Sequence, residues 1–239
     1  MYTVRPVSKL TLIRHGQARS LEGEDVLTPL GESQAARLAA FWLQRRTQFD
    51  EVWSGTLARH TGTEQVVSDA FRSAGQPWPQ VRRDRGWNEY DAAGVLGHYV
   101  PADPSLAALA AAYEAARGGS GENRAFQRML QAAMSRWQEG SLQADGVEPW
   151  PAFRNRVSAA ITGIMLGPSG REVAVFTSGG PIGFAVNLAM KGASQSFLEV
   201  NWRIRNCSVT EFLFDKVRLT LDSFNGIPHL NDVALQTYR

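Results

Sequence analysis

The sequence predicts an α/β protein: three layers, α/β/α, around a mostly parallel sheet with an antiparallel edge strand and a helical cap. Three observations carry this. Short apolar runs, at 10–13 and 173–177, alternate with segments of helical periodicity. The run Val173-Ala174-Val175-Phe176-Thr177 is continuously apolar and β-rich, which suits a strand covered on both faces. Residues 94–150 show helical spacing and no strand pattern, as expected of an insertion over the sheet's ligand edge. With 239 residues, 44% of them hydrophobic, residues 1–239 are expected to form a single domain carrying that cap at about 94–150.

The elements follow in order. Residues 10–13 read as a buried strand ending in Arg14-His15-Gly16, where Gly16 permits a positive φ or a close backbone approach to a ligand. Residues 17–26 read as a loop from which Arg19 can lean back. Thr28 reads as an N-cap with Pro29 at the first helical position, and the helix runs to about Thr47. Glu51-Val52-Trp53-Ser54 reads as a second strand. Residues 56–74 carry helical spacing, with Gly75 as the stop and Arg59 in the first turn. A cation gains nothing from the dipole at that end, so the placement points to an anionic ligand.

Residues 80–83 read as a weak third strand, followed by the acidic, aromatic loop Arg85-Gly86-Trp87-Asn88-Glu89-Tyr90-Asp91. In the cap, helices are expected over 106–117 and 124–139. Another helix opens at Trp150-Pro151 and ends near Gly167. The strand 173–177 leads into Ser178-Gly179-Gly180-Pro181, with Pro181 expected at the first position of a helix whose N-terminus faces the ligand edge. Residues 202–207 read as a loop. Strands at 208–214 and 217–221 flank a hairpin at Asp215-Lys216.

Composition excludes several classes. The 25 Lys and Arg against 23 Asp and Glu leave a net charge of +2, so no bulk field for nucleic acid or an anionic membrane is expected. Cys207 stands alone, and no Cys/His spacing matches a zinc site; neither a metal nor another cofactor is implied. No apolar stretch reaches membrane-spanning length and the first residues carry no secretion signal, so a cytoplasmic location is expected.

Arg14-His15-Gly16, then Leu27-Thr28-Pro29-Leu30-Gly31-Glu32, Ser54-Gly55-Thr56-Leu57-Ala58-Arg59, Glu89 and the Gly179-Gly180 turn occur in one fixed order. Together they resemble the histidine phosphatase, or phosphoglycerate-mutase-like, superfamily. The resemblance implies a phosphomonoester hydrolase in which His15 takes the phosphoryl group and Glu89 protonates the leaving oxygen. Arg14, Arg59, Ser178 and Gly179 would bind phosphate, and water would release it. The substrate would be a small phosphate ester or another phosphorylated molecule. On the residues alone, Asp91 competes with Glu89 as proton donor, and Trp87 stands where the family has an apolar residue.

The chain departs from that pattern at the turn after the strong strand, where the family places a second histidine and this sequence has Ser178. His60 or His98 could take the vacant place, while His229 is expected to be structural. Gln17-Ala18 also replaces the acid-Thr pair of the mutases, which favours hydrolysis over mutase chemistry. A phosphate-ester-binding member with little turnover is the alternative. Ser178 as a hydrolase nucleophile is disfavoured, because Phe176 occupies the first glycine position of Gly-x-Ser-x-Gly.

Overall fold

The computed structural model describes residues 7–19, 25–140, 145–192 and 196–238. In chain order the elements are β1 (Ser8–Arg14), α1 (Pro29–Gln44), β2 (Glu51–Ser54), α2 (Ala58–Ser73), β3 (Val81–Arg83), α3 (Ala92–Ala102), α4 (Ala107–Ala116), α5 (Glu122–Glu139), α6 (Trp150–Met165), β4 (Glu172–Thr177), α7 (Gly179–Ala189), α8 (Ser196–Asn201), β5 (Val209–Phe214) and β6 (Leu219–Gly226).

The six strands form one sheet in the order β3-β2-β4-β1-β5-β6. The first four run parallel, with Arg14 opposite Thr177 across β1 and β4. β5 is antiparallel to β1, and β6 is antiparallel to β5. The antiparallel geometry therefore begins one strand inside the edge, where the hairpin at Asp215 folds β6 back; Asp215 Oδ1 accepts the N–H groups of Val217 and Arg218 at 2.8 Å each.

Side-chain alternation divides the core into two layers. Leu10, Leu12, Val173 and Val175 face α6, α7 and the helices α3 and α5, in a cluster that includes Trp137, Phe153 and Phe197. Ile13, Ala174, Phe176 and Val52 face the opposite way, against Leu38, Trp42, Val67 and Phe71 of α1 and α2. β4 is buried from Val173 to Thr177, as its composition requires of a central strand.

Thr28 caps α1 by accepting the Gly31 N–H at 3.1 Å, with Pro29 following. Gly75, at φ 66°, stops α2. Further features differ from the sequence expectation. Residues 92–102, read only as the start of a cap, form α3: Asp91 caps it by accepting the Gly94 N–H at 2.8 Å, and Val95 and Tyr99, four apart on one face, are buried. Pro181 stands third in α7, not first, because Ser178 is the N-cap; an absent N–H is equally harmless there, since first-turn amides have no intrahelical acceptor. Gly16 does not adopt a positive φ; a β-carbon on it would lie 2.5 Å from the Gly31 carbonyl oxygen, so contact with α1 is what excludes a side chain. Among the described residues, no helix is long and apolar enough to cross a membrane.

Candidate functional site

The parallel strands deliver their chemistry at one edge. β1 ends at Arg14, just before His15, and β4 at Thr177, just before Ser178; β2 leads through a short turn to Arg59 and His60 on α2, and β3 leads to the loop of Glu89. From the adjacent strands β1 and β4 the chain leaves in opposite directions, towards β2 and β5, which creates the crevice where α/β sheets bind ligands. The His15 N–H donates to the Thr177 carbonyl at 2.9 Å, so His15 and Ser178 leave the sheet side by side.

His15 is buried, at 7% exposure. Its Nδ1 lies 2.7 Å from the Gly16 carbonyl oxygen. A carbonyl only accepts, so Nδ1 carries the hydrogen and Nε2 holds the lone pair. Burial, reinforced by the charges of Arg59 and Arg14 and by His60, holds the imidazole well below its ordinary pKa, despite the opposing pull of the Gly16 carbonyl. The ring is therefore uncharged near neutral pH. The surroundings are tied down from both sides: Gly16 N–H donates to Thr63 Oγ1 at 3.0 Å, and Asn206 Nδ2 donates to the His15 carbonyl at 3.2 Å.

Glu89 and Asp91 part company. Asp91 is exposed and serves as the cap of α3. Glu89 accepts the N–H of Gly180 at 3.1 Å on Oε2 and of Tyr90 at 3.2 Å on Oε1. The residue is only partly buried, yet its carboxylate is enclosed deeply enough that desolvation dominates and raises the pKa above the ordinary range. Gly180, Arg59, Arg14 and Tyr90 offset this in part. The conflict between burial and a neighbouring cation is thus resolved in favour of burial. Four carbonyls fix the loop: Arg156 of α6 donates to those of Arg85, Gly86 and Asn88 through Nη1 and to that of Glu89 through Nη2.

Arg59 is engaged by the chain itself. Its guanidinium pairs with Asp25, whose other oxygen accepts the Ala58 N–H at 2.9 Å, so a carboxylate sits at the N-terminus of α2. Arg59 Nε is buried without a partner among the described residues. Arg14 donates to the Ile204 carbonyl. Asp25 was not legible in the sequence: it lies in a polar loop without periodicity, and no local pattern marks a residue that contacts Arg59 across 34 positions.

Of the candidate histidines, His60 is at the site. Its ring centroid lies 5.7 Å from that of His15, and its Nε2 lies 2.5 Å from Ser178 Oγ. His98 lies on α3, its ring against Tyr99. His229 is buried beside Phe41 in the closing segment. The amide of Gly180 is committed to Glu89, and Gly179 lies against Asn201, whose Oδ1 a β-carbon would approach to 2.5 Å. Among the described residues, no group of three or more His, Cys, Asp or Glu is placed to hold a metal ion.

Fold and site together define a three-layer α/β protein that gathers an uncharged imidazole, two guanidinium groups and a buried carboxyl at the carboxyl edge of its sheet. The chain belongs to the histidine phosphatase superfamily, branch 1, whose sequence model matches residues 10–226. No curated protein sequence matches it. Solved structures share the fold at low identity. A phosphoglycerate mutase from Bacillus anthracis is 16% identical, covering 95% of this chain and 96% of its own, with a TM-score of 0.63. A mutant phosphoserine phosphatase from Entamoeba histolytica, in complex with phosphoserine, is 17% identical over 93% and 99%, with a TM-score of 0.62. A mycobacterial glucosyl-3-phosphoglycerate phosphatase is 18% identical over 91% and 98%, with a TM-score of 0.60.

Proposed function

We propose that the chain is a phosphomonoester hydrolase that works through a phosphohistidine on His15. The observation that carries this reading is the 2.7 Å contact between His15 Nδ1 and the Gly16 carbonyl, which leaves Nε2 as an uncharged nucleophile among cations. In the first step Nε2 attacks phosphorus, the ester P–O bond breaks, and the leaving oxygen takes the Glu89 proton. In the second step water attacks phosphorus and yields a proton to the Glu89 carboxylate. The P–N bond then breaks, releasing phosphate and neutral His15. The transferred group spreads charge over its oxygens, and the forked donors of Arg14 and Arg59 match those oxygens in pairs.

The neighbours include phosphatases and a mutase, and one of them holds phosphoserine, which supports a small phosphorylated substrate. The helices α3 to α5 are the part of the chain we assign to a specificity cap, and a cytoplasmic location fits the composition. A second reading is phosphate-ester binding with little turnover, and the pairing of Arg59 with Asp25 favours it, since the cation already has an anion. Rapid acid-free quenching after mixing with a phosphorus-labelled aryl phosphate separates the two. Hydrolysis predicts an acid-labile, base-stable label on His15 that His15→Ala lacks; binding without label supports the second reading.

A further inference from the structure

We propose that Ser178 donates its hydroxyl hydrogen to the phosphoryl group held at His15, and that His60 is the positioning residue that turns this hydrogen into the pocket. The inference rests on the phosphohistidine reading; it gives Ser178, already expected to bind phosphate, the hydrogen it donates, and His60 the role of freeing that hydrogen.

Ser178 stands at the N-cap of α7, where a serine side chain normally accepts an amide N–H of the first turn. It has the extended backbone of a cap, yet its side chain makes no cap bond. The hydroxyl is committed elsewhere: Oγ lies 2.5 Å from His60 Nε2, and both residues are fully buried. Either group could be the donor. The other ring nitrogen decides between them. Among the described residues, His60 Nδ1 is buried without a partner, pressed against Gly55, where a β-carbon would stand 2.2 Å away.

Burial and the charge of Arg59 keep this imidazole neutral, so it carries one N–H. Placing that hydrogen on Nδ1 would bury an orphan donor. Placing it on Nε2 leaves only a bare lone pair at Nδ1, the smaller cost, because orphaned buried N–H groups are rarer than under-satisfied acceptors. Nε2–H therefore donates to Ser178 Oγ, and the hydroxyl hydrogen is released for another acceptor. Ser178 follows Thr177, whose carbonyl accepts the His15 amide, and its hydroxyl touches His60, whose ring centroid lies 5.7 Å from that of His15; an anionic oxygen held at this place makes the bond charge-assisted. A histidine on α2 then acts through a serine, where the sequence alone leaves open which group takes the vacant place.

The test uses the full chain and the variants Ser178→Ala, His60→Ala, their double, Ser178→Thr and His60→Gln. Turnover of an aryl phosphate and binding of orthovanadate are measured for each. Loss of one transition-state donor lowers kcat by ~10²-fold or more. That loss is expected in Ser178→Ala and in His60→Ala, with the double variant no worse than Ser178→Ala, since both act through one hydrogen. Ser178→Thr keeps the hydroxyl and His60→Gln keeps a neutral N–H, and both are expected to recover most of the rate; loss in Ala variants with recovery in these separates positioning from misfolding. Losses that multiply, or a Ser178→Ala variant that equals the wild type, overturn the proposal. If the wild type makes no phosphohistidine, the hydrolase reading fails separately. The pair is then judged on vanadate alone: weaker binding to both Ala variants upholds it, and equal binding by all variants overturns it.

Discussion

Gly180 donates its amide hydrogen to Glu89 Oε2 at 3.1 Å, and a β-carbon on Gly180 would stand 2.0 Å from Glu89 Oε1. The turn after β4 therefore holds the acid by backbone alone and leaves it no room to share with a side chain. Gly180→Ala should displace the carboxyl and mimic Glu89→Gln. General acid catalysis typically contributes ~10²–10⁴-fold, and it matters most when the leaving oxygen is basic. Both variants should thus lose far more activity on an alkyl phosphate than on an activated aryl phosphate. Equal losses on the two substrates would remove Glu89 from the role of proton donor.

In the proposed mechanism the two shifted groups set the pH profile in opposite ways. His15 must be unprotonated to attack, and its pKa lies well below the ordinary 6.5, so the acid limb of kcat/KM falls well below that value. Glu89 must be protonated to assist the leaving group, and its pKa is raised above 4.5, so activity declines as pH rises past the raised value. Glu89→Gln should remove the alkaline limb and leave the acid limb in place. A profile whose alkaline limb persists in that variant assigns the limb to another group.

Local chemistry made much of this readable. The apolar run at 173–177 announced the central strand, Thr28 and Pro29 announced α1, and Arg59 was legible because a cation in the first turn of a helix opposes the dipole. α3 was not legible, because Gly94, Gly97 and Pro101 weaken helix propensity while tertiary burial of Val95 and Tyr99 overrides it. The choice between Glu89 and Asp91 needed the fold, since only burial tells an enclosed acid from a cap. The contact between His60 and Ser178 spans 118 positions, and no periodicity encodes such a separation.

Asp25 occupies the anion position that Arg59 and the α2 N-terminus would offer to phosphate. Asp25→Ala removes a competitor and a cap at once, so affinity and stability should move in opposite directions. The guanidinium side chain is 11% exposed and the carboxylate 30%, a partly exposed pair for which ~0.2–1 kcal/mol is typical. Inorganic phosphate should accordingly bind up to roughly fivefold more tightly. Loss of the Ala58 contact should lower stability by about 1 kcal/mol. Titration calorimetry and urea unfolding of the same variant check both signs; weaker phosphate binding would show that Asp25 orients Arg59 instead of competing for it.

Arg156 holds the acid loop from behind, with Glu148 accepting its Nε at 2.6 Å and its Nη2 at 2.8 Å while the guanidinium serves the carbonyls of Arg85, Gly86, Asn88 and Glu89. A lysine keeps the charge but cannot reproduce a planar fork. Arg156→Lys should lower kcat by about tenfold, the cost of one charge-assisted bond lost behind the acid, and leave vanadate affinity unchanged. A matching fall in vanadate affinity would mean that the loop supports the anion pocket as well as Glu89.

His229 tests the electrostatics of the closing segment apart from the site. Burial pushes its imidazole down to about 4 from the ordinary 6.5. Between those values the unfolded chain binds the proton and the folded chain does not, so this residue makes stability rise with pH across the window. Its contribution is fully present above about 6.5 and declines as pH falls towards 4, by about 3 kcal/mol in all. His15 and His60, also lowered, act with the same sign, so the total slope cannot be assigned to one ring. Subtraction isolates it: His229→Phe, which retains a ring beside Phe41, should be less sensitive to acid than the wild type in urea unfolding from pH 7 to 4. Equal slopes for the two proteins would mean that His229 takes up its proton alike in the folded and unfolded chains and would contradict its burial as a neutral ring.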